Sequence, residues 1–340
     1  MYDKGDGIPR NSEKAVRFAF KAAQQGYTAA QYYLGQAFEN GINQVPQDNV
    51  EAYYWYSLAA NSTDELNHAS DNINVVAEAS LDRVKRKLTE NQKKEIDALV
   101  KVWTPKTLIS HGTGFYVDNN HILTNRHIVR TTFNEARIPF RRVKISVIAN
   151  DNEEDLALLT DPRENELRAT FRRNPIDVGE EVALFGYPRS TILSYKGNGT
   201  SGIVSGISGI MTDFQPANEF QHTAPTQNGN SGSPVFDLAG NVVGISVAQL
   251  VDYRSLEGAQ AIKINPPQNV NFAIKFDVIE AFLRKNGIMD YATTKSSGKV
   301  IDLSGIYKQA QKFTVPVLCY EDKEEQPLPV EQVNIEELHP

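Results

Sequence analysis

Fifteen residues recur 37 positions apart. The stretch "PRNSEKAVRFAFKAA" (Pro9 to Ala23) aligns with "PQDNVEAYYWYSLAA" (Pro46 to Ala60), pairing Ala15 with Ala52, Phe18 with Trp55, Ala22 with Ala59 and Ala23 with Ala60. A period of this size points to a stacked array of helical units, because one unit cannot bury its apolar face alone. In each copy a proline and an Asn or Asp precede an alanine and aromatic face at helical spacing, and a glycine-bearing turn comes before them. That is how helix-turn-helix repeats are punctuated. The small alanines let neighbouring helices approach closely.

This segment resembles Sel1-like repeats, relatives of the tetratricopeptide repeats, with "AAQYYLGQAFENG" (Ala29 to Gly41) as the first helix of a unit. The resemblance implies a concave surface that recruits a protein partner. The chain opens at "MYDKGDGIP", which corresponds to the middle of such a unit, so either the gene begins oddly or upstream repeats are missing. The stretch "LDRVKRKLTENQKKEIDALVKVW" (Leu81 to Trp103) departs from the repeat and reads as longer, more charged terminal helices that cap the array.

From Ser110 the pattern changes to short β-rich runs with Gly, Asn and Asp turns: "GTGFYVD", "HILTNRHIV", "VKISVIA", "EVALFGYP", "SGIVSGI" and "NVVGISVAQL". Short, regularly spaced strands predict an all-β barrel or sandwich, lasting to about Ile274. A closing helix, "FDVIEAFLRKNGI" (Phe276 to Ile288), follows. Beyond it come a helical pattern, "DLSGIYKQAQKF", a strand pattern, "VPVLCY", and expected disorder after Tyr320. The Gly-rich "GNGTSG" (Gly197 to Gly202) lacks the lysine and following helix of a phosphate loop and reads as a surface hairpin.

Composition narrows the function classes. The net charge is −7, but the last twenty residues hold seven acids against one lysine, so the rest of the chain is close to neutral. A basic nucleic-acid-binding face is therefore not expected, and "RVKRK" (Arg83 to Lys87) reads as a solvated helix face. No apolar run approaches the ~20 residues of a membrane-spanning helix. The start, "YDKGDGIPRN", lacks the basic, apolar and small-residue segments of a secretory signal, and the sequence assigns no compartment. Cys319 is the single cysteine, so an intramolecular disulfide is excluded. The six histidines show no metal-ligand spacing, and no cofactor is expected.

Amide hydrolysis by a serine needs a base, an acid to orient the base, and two donors for the oxyanion. Three stretches offer these groups: "LTNRHIV" with His127, "NDNEEDLALL" with Asp155 and "NGNSGSP" with Ser231, spaced by 28 and 76 residues. Singly, each has a plainer reading. His127 suits a core or surface histidine, Asp155 sits among turn-forming acids that include Glu153 and Glu154, and Ser231 suits a hairpin turn. Their order and strand contexts resemble the trypsin-like double β-barrel proteases, and more closely the HtrA/Deg branch, over Ser110 to Ile288.

The resemblance implies a serine endopeptidase acting on proteins or peptides, with Ser231 as nucleophile, His127 as general base and acid, and Asp155 fixing the imidazole tautomer. The oxyanion donors would be the backbone N–H groups of Gly229 and Ser231. The fold implied is α-helical repeats over 1–105, a double-barrel domain with a C-terminal helix over 108–288, and an acidic extension over 289–340. Zymogen-activated members carry an aspartate where Asn230 stands, so activation by N-terminal cleavage is not expected. The 52 residues beyond Ile288 are too few for a PDZ domain. In the specificity pocket, Pro225 and Thr226 place no charge at the floor, and Val247 and Ala248 suggest a small or medium apolar side chain before the scissile bond. His222 either lines that pocket or is structural. The rival reading is a catalytically silent or partner-gated member used as a binding module; the oligomeric state is not legible.

Overall fold

The computed structural model describes residues 11–42, 45–62, 73–129, 135–137, 144–162, 165–188, 197–208, 218–247, 269–295 and 298–322. Five helices come first: α1 (Ser12–Gln24), α2 (Thr28–Asn40), α3 (Asn49–Ala60), α4 (Ile73–Lys85) and α5 (Glu90–Lys101). The sequence period is the spacing of two helix starts. Asn11 caps α1 by accepting from Lys14 N–H, and Asp48, 37 residues on, caps α3 by accepting from Val50 and Glu51 N–H. Each side chain satisfies amides that have no partner inside the helix.

Gly35 of α2 lies under the Tyr56 ring of α3, where a Cβ would come within 2.4 Å of a ring carbon. Here a missing side chain sets the close approach of two helices. Phe20 packs edge-on against Trp55 at 5.6 Å between ring centroids. Glu39, with its side chain only 6% exposed, accepts two 2.7 Å bonds from Arg83 and one of 2.9 Å from Tyr56. The Arg83 hydrogen bonds hold its carboxyl below the usual range, and they tie α4 to the repeat. The aligned Phe18 and Trp55 differ in burial: Trp55 is enclosed, whereas Phe18 is exposed on the outermost described helix.

The strands form two barrels. The first contains β1 (Lys106–Tyr116), β2 (His121–Asn125), β3 (Glu135–Arg137), β4 (Lys144–Asp151) and β5 (Leu156–Thr160). The other contains β7 (Glu181–Gly186), β8 (Asn198–Gly206), β9 (Glu219–His222), β10 (Pro234–Phe236), β11 (Val242–Val247) and β12 (Asn271–Lys275), closed through pairing of β10 with β11. Two short strands, β6 (Thr170–Arg172) and β13 (Ala292–Thr294), extend it in parallel beside β11. The closing helix α6 spans Phe276–Lys285. The expected architecture of helical repeats, paired barrels and a C-terminal helix is therefore present.

The segment past residue 288, expected as an extension, is built into the first barrel. After α7 (Leu303–Ala310), β14 (Thr314–Asp322) enters between β1 and β3, and the ring runs β1-β14-β3-β4-β5-β2. Val315, Val317, Leu318, Cys319 and Tyr320 are all buried there. Pro316 stands opposite Thr113 of β1, whose own N–H donates to the Ser231 carbonyl rather than across the pair. Burial pushes the Cys319 thiol up to about 12. The Gly-rich "GNGTSG" forms the start of β8, where Gly199 accommodates the Tyr307 ring of α7. Disorder was expected after Tyr320, but Glu321 and Asp322 continue β14, and residues 323–340 lie outside the described residues.

The repeat segment meets the first barrel near β1. Gly26, in the α1–α2 turn, faces Trp103 and Pro105, and the His111 ring is held below its usual pKa by burial and then by Lys21. The second barrel encloses His222, which is 0% exposed. Among the described residues neither ring nitrogen has a partner at hydrogen-bond geometry, although backbone of Phe272 and Ala224 lies close, and burial lowers its pKa to about 4.

A chain ending at residue 302 loses β14 and leaves β1 and β3 with open edges, so it should lose cooperative thermal melting. A melt within about 3 °C of the full chain would contradict this. For His222, the unfolded ring takes a proton near pH 6.5 and the folded ring only near 4. Stability should therefore fall as pH drops through that window. His222→Leu should remove up to about 1.4 kcal/mol per pH unit of that slope in urea titrations. Parallel stability curves for variant and wild type would rule out the burial of a neutral imidazole.

Candidate active site

His127 follows directly from β2, in a 3-10 turn over Arg126–Ile128. Asp155 ends the β4–β5 turn at φ 51, a left-handed conformation that aspartate tolerates better than most residues. The turn is shaped by Asp151, whose carboxylate accepts from Glu153 and Glu154 N–H. Asp155 is then fixed at both ends. Its carbonyl accepts from Arg126 N–H at 3.0 Å and from Asn125 Nδ2 at 3.1 Å. Its Oδ1 accepts from His127 N–H at 2.9 Å, and Oδ2 stands 2.6 Å from His127 Nδ1.

This arrangement has an electronic consequence. A carboxylate accepts and cannot donate, so the neutral imidazole carries its proton on Nδ1 and leaves Nε2 as the basic nitrogen. Behind the pair, Glu219 of β9 is held above the usual carboxyl range by burial, then by the negative Asp155 and Glu154.

Ser231 lies in the loop from β9 to β10 and is 2% exposed. Asn230 N–H donates to the Gln227 carbonyl, closing a four-residue turn in which Gly229 occupies the third position at φ 100. That backbone is the type II geometry that calls for glycine. Gly232, at φ 83, runs so close to β1 that a Cβ would lie 2.0 Å from the Thr113 carbonyl oxygen. Ser246 and the loop exchange two backbone bonds, Gly232 N–H to Ser246 O and Ser246 N–H to Ser233 O. Asn230 is buried, with its Oδ1 lacking a hydrogen-bond partner among the described residues.

Of the expected pocket residues, Pro225 is exposed, Thr226 is buried and Val247 is half-buried, whereas Ala248 lies outside the described residues. Thr226 hydrogen bonds through its hydroxyl to Asn271 Oδ1, and Asn271 Nδ2 donates to the Ala224 carbonyl at 2.9 Å. Sequence reasoning passed over Asn271, since a single Asn at a strand start carries no local signal. It also passed over Thr113, whose hydroxyl meets the Gly229 carbonyl; the flanking glycines of "GTG" were its only mark.

A family model described as a trypsin-like peptidase domain matches residues 112–245, and the Sel1 repeat model matches residues 1–27 and 28–64. The chain is 36% identical over 213 residues to the uncharacterized protein y4bJ of Sinorhizobium fredii, covering 62% of this chain and 32% of the relative. It is 33% identical over 153 residues to a probable periplasmic serine endoprotease, DegP-like, of Rickettsia conorii, covering 43% and 29%. Against a serine protease, HtrA-like, of Staphylococcus aureus it is 28% identical over 217 residues, covering 58% and 26%. The chain thus spans about a third or less of the length of these relatives. Sel1 repeat and trypsin-like peptidase models thus match the chain in that order, and the relatives it resembles include proteins named as DegP-like and HtrA-like serine proteases.

Proposed function

We propose that the chain is a serine endopeptidase that cleaves protein or peptide substrates through an acyl-enzyme, with Ser231, His127 and Asp155 as its triad. The observation that carries this reading is the carboxylate clamp: both Asp155 oxygens are committed to His127, one to its amide and one to Nδ1. Such a clamp costs Asp155 a left-handed backbone and serves a base whose second nitrogen must stay unprotonated.

In the proposed reaction, His127 Nε2 takes the Ser231 hydroxyl proton as Oγ attacks the scissile carbonyl carbon. The Gly229 and Ser231 N–H groups hold the resulting oxyanion. The imidazolium, stabilised by Asp155, then gives its proton to the departing amine. Water repeats the sequence on the acyl-enzyme and releases the acid. Asn230 offers no carboxylate to pair with a freed N-terminus, so this loop takes its shape from its neighbours. The Sel1 repeats recruit a protein partner or substrate through their stacked helices. Thr226 and Val247, with Pro225 beside them, contribute to the specificity pocket, and Asn271 adds a polar contact to Thr226.

A second reading, a silent or partner-gated binding module, draws on one observation: Ser231 is almost wholly enclosed. A fluorophosphonate probe separates the two. Wild type should be labelled and Ser231→Ala should not, whereas folded wild type that resists labelling would favour the second reading. His127→Ala should lower turnover by about 10⁴-fold or more. A loss of less than about tenfold would remove His127 from the role of base.

A further inference from the structure

The nucleophile loop has glycine on both sides of Ser231, at positions 229 and 232, both with positive φ. Glycines permit that geometry without enforcing it, since they cross between backbone regions readily. The loop's own turn bonds and its two bonds to Ser246 supply part of the constraint. Thr113, in the C-terminal half of β1 and 0% exposed, makes four hydrogen bonds, two of them to the loop.

Its N–H donates to the Ser231 carbonyl at 2.8 Å, and its carbonyl accepts from the Thr124 hydroxyl at 2.6 Å. Its hydroxyl donates to the Gly229 carbonyl at 2.7 Å and accepts from Tyr187 N–H at 2.9 Å. The direction of the last two is settled by valence. An amide only donates and a carbonyl only accepts, so the single hydroxyl proton must point at Gly229. Side-chain branching at Cβ further restricts how that hydroxyl can turn.

The peptide that carries the Ser231 N–H therefore lies between two pinned carbonyls, those of Gly229 and Ser231. Turning it in place would also strip the Asn230 carbonyl of the Ser233 N–H that it accepts, a loss that buried backbone rarely tolerates. The same residue reaches the other half of the site, because Thr124 lies on β2, three residues before His127. Crowding confirms how little room remains: a Cβ on Gly186 would lie 1.9 Å from Ser233 Oγ and 3.0 Å from Thr113 Oγ1.

We infer that Thr113 is a positioning residue for the oxyanion donors, its hydroxyl acting through the Gly229 carbonyl to hold the loop in its reactive shape. The inference rests on the serine endopeptidase reading of the same site. Thr113→Val keeps the branched shape and removes the donor, and Thr113→Ser keeps the donor and removes the methyl.

The test uses the full chain and an alkyl fluorophosphonate, resolving the saturating rate of Ser231 modification from the concentration for half-saturation. Thermal melts establish folding. Thr113→Val should react about 10²-fold more slowly at saturation, with half-saturation unchanged within about threefold, and Thr113→Ser should recover to within about threefold of wild type. Should Thr113→Val fail to fold, Thr113→Cys, of serine's shape but a poor donor, takes its place with the same expected loss. A folded Val or Cys variant that reacts at the wild-type rate overturns the inference. So does a Ser variant as slow as Val, which would assign the effect to the methyl's packing. An unreactive wild type would sink the endopeptidase reading itself, which keeps the two failures apart.

Discussion

The constraint on which the structure depends is the placement of β1. A barrel strand needs a hydrogen-bonded partner on each edge, and β1 takes β2 on one side and β14, two hundred residues downstream, on the other. In its C-terminal half Thr113 binds the Ser231 loop of the second barrel, and the repeat segment contributes Lys21 near His111 on the same strand. Tyr187, which donates its amide to Thr113, sends its hydroxyl to the Thr314 carbonyl at the start of β14. Barrel closure and the geometry of the loop thus share one set of bonds.

The chemistry of the site rests on a second, local constraint. Every polar atom of the Asp155 carboxylate and carbonyl is engaged by the Asn125–His127 segment, so the imidazole is oriented by backbone as well as by charge. The site needs no long flexible side chain to hold its geometry. Its groups lie on a strand end, a tight turn and a glycine loop, each short enough to be rigid.

What could be read from sequence was what is local. Asn11 and Asp48 announced two helix starts because capping acts within three residues, and "NRH", "EED" and "GNSGSP" announced the turns that carry the three groups. What could not be read was long-range pairing. "VPVLCY" has a strand's composition, yet nothing within it says that its partners are β1 and β3, since register depends on a surface built elsewhere. Asn271 and Thr113 were hidden for the same reason: their importance comes from atoms brought to them by the fold. Phe18 shows a converse limit. It aligns with Trp55, but burial depends on what stacks beyond each helix, not on the repeat itself.

The central claim is that Ser231, His127 and the Gly229 turn form one assembled reaction centre. The most direct measurement is a crystal structure of the protein soaked with phenylboronic acid, a trigonal acid that becomes tetrahedral on accepting a serine oxygen. The account predicts boron bonded to Ser231 Oγ, with one boronate oxygen about 3 Å from both the Gly229 and Ser231 amide nitrogens. It also predicts another boronate oxygen or Oγ within hydrogen-bond reach of His127 Nε2. Boron bound elsewhere, or a boronate on Ser231 whose oxygens face neither amide, would contradict it.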